Sequence, residues 1–214
     1  MLPRRDDLCG LCLIIDQDLL QSSPDQAMTQ ALEAGVRFFQ YRSKNGTRRQ
    51  VYDAAARLVK IAHRSGALFL VNDHADIAAA VDADGVHLGQ EDLPLGAARR
   101  VLGKDRLIGI STHSQEQAVQ AEAGGADYIG FGPMFSTRTK DAGAVQGLER
   151  LALIKQTVRV PVVAIGGINQ DTMHEVLQAG ADGIAVISAI LTAQDVQKAA
   201  ASMVNVLRSF RRVP

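Results

Sequence analysis

Gln40, Arg42 and Lys44, spaced by two, close an apolar run that begins at Val36. If that run is a strand continuing through them, they project from one face. Two cations beside an amide suit a phosphate or diphosphate, arginine forming two parallel bonds and lysine acting as a point charge. The same residues also read as a solvated basic strand end feeding Arg48 and Arg49. Asn72-Asp73 closes a second run over residues 67–71, and Asp92 follows a third over residues 85–88. Carboxylates from two strand ends can hold Mg²⁺, a hard cation that takes one or two carboxylates together with phosphate oxygens and water. Helix capping competes for both, since Asp73 precedes an Ala-rich segment and Asp92 stands two residues before Pro94.

Further along, Ser111 follows an apolar run over 107–110. Ser114 with Gln117 already supplies the next helix cap, which leaves Ser111 for another role. The stretch from Gly130 to Lys140 is irregular, and the hydroxyls of Thr137 and Thr139 with the amine of Lys140 give it a phosphate-binding character. A plain surface loop is the other reading. Gly166-Gly167 and Ser188 close two later runs, where backbone N–H groups can approach an anion or simply make a turn. The five histidines show no metal-ligand spacing, and His87 reads as a packed strand residue and His113 as a bystander near the strand ends. Cys9 and Cys12 form a Cys-x-x-Cys pair on a strand-like stretch rather than at a helix start, and no further cysteine completes a zinc site, so both read as structural.

These groups need a scaffold that gathers them. Short apolar runs at 11–15, 36–41, 67–71, 85–88, 107–110, 128–131, 162–165 and 184–187 are bounded by Gly, Asp or Pro, the signature of strands buried on both faces of a parallel sheet. Helix signals lie between them. Ser23-Pro24-Asp25-Gln26, Thr47 with Gln50, and Ser114 with Gln117 are capping patterns, and Val51, Ala55, Leu58 and Ala62 share one helix face. Val196, Ala200, Met203, Leu207 and Phe210 predict a last helix. Asp84-Gly85-Val86, Asp127-Tyr128-Ile129 and Asp182-Gly183-Ile184 repeat a helix-to-strand junction at irregular spacing. Eight alternating units without a Gly-x-Gly-x-x-Gly fingerprint predict an α/β fold, a single (βα)8 TIM barrel over residues 1–214 with its site at the C-terminal rim of the parallel strands.

Composition narrows the function. The 214 residues carry 23 Lys plus Arg against 23 Asp plus Glu, so no global positive field exists to hold nucleic acid or an anionic membrane. Met1 to Arg5 followed by residues 8–15 has the order of a signal peptide, but Asp6, Asp7 and Asp16 bracket the short run and no cleavage pattern follows. A first strand, and a cytoplasmic protein without a membrane span, are expected. Oligomeric state is left open, a homodimer included.

Taken in order, residues 40–44, 71–73, 85–92, 109–114, 132–140, 164–168 and 186–188 resemble the thiamine phosphate synthase family, which joins the pyrimidine and thiazole halves of thiamine. The resemblance implies that Gln40, Arg42, Lys44, Asn72, Ser111 and Lys140 hold 4-amino-2-methyl-5-(diphosphooxymethyl)pyrimidine, with Asp73 and Asp92 on Mg²⁺. Thr137, Arg138, Thr139, Gly167, Ile187 and Ser188 then hold the thiazole phosphate, and Arg42, Lys44, Ser111 and Lys140 carry the catalysis. The family often has Pro between the two threonines where this chain has Arg138, which changes the loop's stiffness and adds a cation. Two rivals keep part of the pattern: a barrel that isomerises a thiazole carboxylate phosphate, and a non-catalytic binder of phosphate ligands.

Overall fold

The computed structural model describes residues 8–137 and 144–211. In chain order the elements are β1 (Leu11–Asp16), α1 (Pro24–Glu33), β2 (Phe38–Arg42), α2 (Arg48–Arg64), β3 (Leu68–Asn72), α3 (Ala75–Ala80), β4 (Gly85–Leu88) and α4 (Leu95–Leu102). They continue as β5 (Leu107–Thr112), α5 (Gln115–Ala123), β6 (Tyr128–Phe131), α6 (Gly147–Thr157), β7 (Val162–Ile165), α7 (Met173–Gln178), β8 (Gly183–Val186), α8 (Ser188–Leu191) and α9 (Val196–Arg211). Each strand pairs in parallel with the next, and β8 returns to β1 through Leu11 and Ile184, so the barrel closes as the alternation predicts.

Strand parity decides which side chains reach the interior. Cys12, Ile14, Phe38, Leu68, Leu70, Leu107, Tyr128, Val163 and Ala185 fill the inside, while Leu13, Ile15, Phe39, Tyr41, Phe69 and Val71 meet the helices outside. Space inside is shared between neighbours. A Cβ on Gly109 would lie 2.1 Å from the ring of Tyr128, so glycine on β5 is what lets that tyrosine lie across the interior.

β1, β2, β3, β5 and β8 each differ by one or two residues from the runs read in the sequence, and two of these limits have clear local reasons. β2 starts at Phe38 because Val36 still belongs to the end of α1, its N–H donating to Ala31 at 3.0 Å, and Arg37 folds back to donate to the carbonyls of Leu32 and Val36. β5 runs on to Thr112, whose buried hydroxyl donates to Gly130 O at 3.0 Å. Ser23, Thr47 and Ser114 each cap a helix by accepting from the N–H three residues on, but the return bond is not shared by all three. Thr47 and Gln50 make the full reciprocal box, whereas Gln117 reaches past Ser114 and accepts from His113 N at 2.7 Å. On α9, Ala200, Met203 and Leu207 are buried, with Val196 and Phe210 packed against the core.

The repeated junction has a structural explanation. Asp84 Oδ2 accepts from Phe69 N at 2.8 Å, Asp127 Oδ2 from Ile108 N at 2.8 Å, and Asp182 Oδ2 from Val162 N at 2.7 Å. Each carboxylate also meets a basic side chain from the helix two units back: His63 of α2, Arg99 of α4 and Lys155 of α6. One clamp thus recurs before β4, β6 and β8 at the N-terminal end of the barrel, and this repeated carboxylate serves the frame rather than a ligand.

Candidate active site

Two cavities open at the C-terminal strand ends. One, of about 490 Å³, is lined by Gln40, Arg42, Lys44, Asn72, Asp73, Asp92 and Ser111 among others. The other, of about 580 Å³, is lined by Thr137, Gly166, Gly167, Ile187 and Ser188 among others. Ser111, His113, Gly130, Ile165, Ala185 and Ile187 border both. The described candidates line these two cavities, with Ser111 and Ile187 bordering both, and the cavities share a wall. Arg138, Thr139 and Lys140 lie outside the described residues.

In the first cavity the cations already have partners. Arg42 Nη1 donates to Asp16 Oδ2, its register neighbour across β1 and β2, and Asp16 is 1% exposed. Lys44 Nζ lies 3.0 Å from Asp73 Oδ2. Asp73 adopts a left-handed backbone with φ 68°, donates its N–H to His87 O at 2.8 Å and accepts from Asn72 Nδ2 at 2.5 Å. A side chain other than glycine held there stores strain, and such strain clusters where a site needs one orientation. Neither carboxylate caps a helix. The N-cap residues of α3 and α4 are His74 and Pro94, both without a side-chain cap bond, while Asp92 Oδ2 accepts from Gly89 N at 2.6 Å.

The two carboxyl groups are within hydrogen-bonding reach and their acidities diverge. Burial tends to raise Asp73, but the hydrogen bond and charge of Lys44, the bond to Asp92 and the Arg42 charge hold it below the ordinary value. Burial pushes Asp92 up, opposed by the Gly89 N–H and reinforced by the charge of Asp73. A raised carboxyl beside a depressed one marks a place where negative charge accumulates without enough positive charge to balance it. Among the described residues no group of three or more His, Cys, Asp or Glu is placed to hold a metal, so a cation here would have two protein carboxylates and need other oxygens. A hard ion that keeps water and takes phosphate oxygens fits that set.

Beneath the first cavity lies a buried chain that the sequence does not announce. Gln40 Nε2 donates to Tyr128 Oη at 3.0 Å, Tyr128 Oη lies 2.8 Å from His87 Nδ1, and His87 Nε2 lies 2.9 Å from Ser111 Oγ. His87 is packed on its strand as expected, yet both ring nitrogens are committed. His113 stands near the strand ends, as expected. It borders both cavities, and Nδ1 donates to Gly132 O at 2.7 Å, because a carbonyl can only accept. Asp16, Tyr128 and the wall role of His113 escaped the sequence reading. Asp16 alone carried a signal, as a charged residue at a strand end directly comparable with Arg42.

The second cavity is more apolar, with backbone groups at its rim. Gly166 and Gly167 have φ of 98° and 69°, and a Cβ on either would strike the segment after β6, which lies against them through Met134 N to Ile165 O and Phe135 N to Gly166 O. Ser188 opens the single turn of α8 directly after Ile187.

A closed parallel barrel with two adjoining cavities at its C-terminal strand ends is the framework of a (βα)8 enzyme. A sequence profile described as thiamine monophosphate synthase matches residues 11–190. The thiamine-phosphate synthase of Chloroflexus aurantiacus is 46% identical over 192 residues, covering 89% of this chain and 88% of the relative. That of Pyrococcus furiosus is 48% identical over 174 residues, covering 81% and 84%. The solved thiamine phosphate pyrophosphorylase from Pyrococcus furiosus superposes with a TM-score of 0.89 at 43% identity, over 96% of this chain and 98% of that one. The chain belongs to the thiamine monophosphate synthase family of transferases.

Proposed function

We propose that this chain condenses 4-amino-2-methyl-5-(diphosphooxymethyl)pyrimidine with a thiazole phosphate, either 4-methyl-5-(2-phosphooxyethyl)thiazole or its carboxylated form, to give thiamine phosphate and diphosphate, with CO₂ released as well when the carboxylated form reacts. The observation that carries this reading is the adjacency of the two cavities, one charged and one with an apolar floor and a glycine rim, across a shared wall. Two substrates that must meet end to end suit such a pair.

The chemistry assigns the residues. Departure of diphosphate from the pyrimidine methylene leaves a cation that the aminopyrimidine delocalises, so the protein must stabilise the leaving group and aim the thiazole nitrogen at the methylene. Arg42 and Lys44 supply positive charge to the diphosphate, which requires each to turn from Asp16 and Asp73 toward the ligand or to bridge both. Lys140 adds a further cation. Asp73 and Asp92 would hold Mg²⁺, which when bound neutralises diphosphate charge; turning Lys44 toward the ligand frees Asp73 for that role. Gln40, Asn72 and Ser111 hold the pyrimidine. Thr137, Arg138, Thr139, Gly167, Ile187 and Ser188 hold the thiazole phosphate. No protein nucleophile is needed. Cys12, the thiol inside the barrel, is fully buried, and that burial pushes its pKa up against a hydrogen bond from Gln40, so it stays a thiol.

The decisive assay supplies both half-molecules with Mg²⁺ and follows diphosphate and thiamine phosphate. Release of both products only when both substrates are present is expected. Isomerisation of a carboxylated thiazole phosphate alone, or binding without turnover, would replace this reading with one of its two rivals. Among the described residues no helix is long and apolar enough to cross a membrane, and a cytoplasmic location is proposed on the biosynthetic role.

A further inference from the structure

The buried chain from Gln40 to Ser111 has a direction that its bonding partners fix. Tyr128 is fully buried, and burial holds its phenol well above the ordinary value, so its proton stays on. The phenol oxygen accepts from Gln40 Nε2 at 3.0 Å, and its own proton must then go to the remaining partner, His87 Nδ1 at 2.8 Å. A neutral imidazole that accepts at Nδ1 carries its proton at Nε2, where it donates to Ser111 Oγ at 2.9 Å. With that acceptance made, the Ser111 hydroxyl proton is left to point elsewhere, and Ser111 lines the first cavity. The other end of the chain is equally defined. The Gln40 amide nitrogen faces Tyr128 and the Cys12 thiol, and Gln40 Oε1 is buried with no hydrogen-bond partner among the described residues. An unpaired buried acceptor costs about 1–3 kcal/mol. That makes it a waiting ligand contact in a residue lining the same cavity.

We propose that Tyr128 and His87 are positioning residues that polarise this relay, so that the cavity presents an acceptor at Gln40 Oε1 and a donor at Ser111 Oγ to a heteroaromatic edge carrying a donor and an acceptor. The proposal rests on the pyrimidine reading above, because an aminopyrimidine has such an edge: the exocyclic amine donates and the ring nitrogen beside it accepts. A 4-oxo analogue, with a protonated ring nitrogen, reverses both and is rejected by polarity rather than by size. The tight fit of Gly109 under the Tyr128 ring and the short contact a Cβ on Gly130 would make with His87, at 3.0 Å, keep both rings in register for this role.

The test begins with substrate-free wild-type protein. Nitrogen-15 NMR of the imidazoles is expected to show His87 protonated at Nε2 and bare at Nδ1; a proton on Nδ1 overturns the proposal. Kinetics on the active enzyme provide the second arm. Tyr128→Phe is expected to raise KM for the pyrimidine diphosphate by ~10-fold or more while leaving KM for the thiazole phosphate within ~2-fold, and to give His87 a mixture of tautomers. His87→Gln, which keeps a donor where Nε2 lies, is expected to retain most of the pyrimidine affinity that His87→Leu loses. Equal losses in those two variants, or equal rises in both KM values for Tyr128→Phe, would reduce the chain to packing and sink the relay. If a variant fails to fold, the wild-type tautomer decides. If the wild type makes no product, the functional reading falls instead, and the tautomer still decides the relay.

Discussion

Aspartates at the two ends of the barrel behave differently. At the N-terminal end Asp84, Asp127 and Asp182 repeat one arrangement, a strand N–H and a basic side chain on the same carboxylate, every second unit around the ring. Every one of those carboxylates is satisfied within the frame. At the C-terminal end Asp16, Asp73 and Asp92 have three unlike environments: a buried pairing with Arg42, a strained left-handed residue paired with Lys44, and a turn acceptor made a weaker acid by burial and by the charge of its neighbour. Repetition of an interaction around a symmetric frame is what architecture needs. Dissimilar carboxylates crowded at one rim bring charge together at some expense of stability, which a frame alone does not require.

The largest effect that can break this contrast is on turnover. Asp73→Asn keeps a residue that tolerates φ 68° while removing the charge proposed for Mg²⁺ and the partner of Lys44. We expect kcat with saturating Mg²⁺ to fall by ~10²–10³-fold, with a thermal midpoint near that of wild type. Turnover within about threefold of wild type would remove Asp73 from the reaction and with it the functional half of the comparison.

A change at the opposite end should do the reverse. Asp182→Ala strips the acceptor from Val162 N and the partner from Lys155. A destabilisation of about 1–3 kcal/mol is expected, since a partly buried N–H loses a charged acceptor. For a chain of this size each kcal/mol lowers the midpoint by ~2–4 °C. Denaturant unfolding measures the loss, and steady-state kinetics well below the midpoint should return wild-type kcat and KM. A catalytic defect in protein that remains folded would show that the lower clamps reach the rim.

The same contrast explains what the sequence made legible. Strand ends could be read because apolar runs stop abruptly, and that placed Arg42, Asp73, Asp92, Ser111 and Gly167 on one rim with no knowledge of contacts. The repeated Asp junction was visible as a pattern, but its cause lay in ladder partners that are near only after closure, such as Asp182 and Val162. Pairings across the barrel were hidden for the same reason. Arg42 meets Asp16 only through the β1–β2 register, and Gln40 meets Tyr128 across 88 residues and through the space left by Gly109. Types and spacing locate a rim, whereas partners and proton direction are properties of the closed ring.

The smallest effect sharpens the comparison most, because it changes sign with the ligand. Asp92 lies above the ordinary carboxylate value in the folded chain, from burial and the charge of Asp73, against the pull of the Gly89 N–H. A carboxyl raised on folding contributes stability that is fully present below its unfolded value, near 3.9, and is lost as pH rises through the folded one. At neutral pH without metal, ionised Asp92 is therefore a burden on the fold. Asp92→Asn should relieve it: its amide oxygen can still accept from Gly89 N, and the repulsion with Asp73 is gone. Thermal unfolding in EDTA should place the variant above wild type at pH 7, by less than the ~2–4 °C that 1 kcal/mol brings, with the gap closing below pH ~4. Adding Mg²⁺ should reverse the order, because an ion bound only to the folded state stabilises the wild type and has lost a ligand in the variant. A gap that ignores both pH and Mg²⁺ would make Asp92 a turn residue like any other, and the rim would lose its second carboxylate.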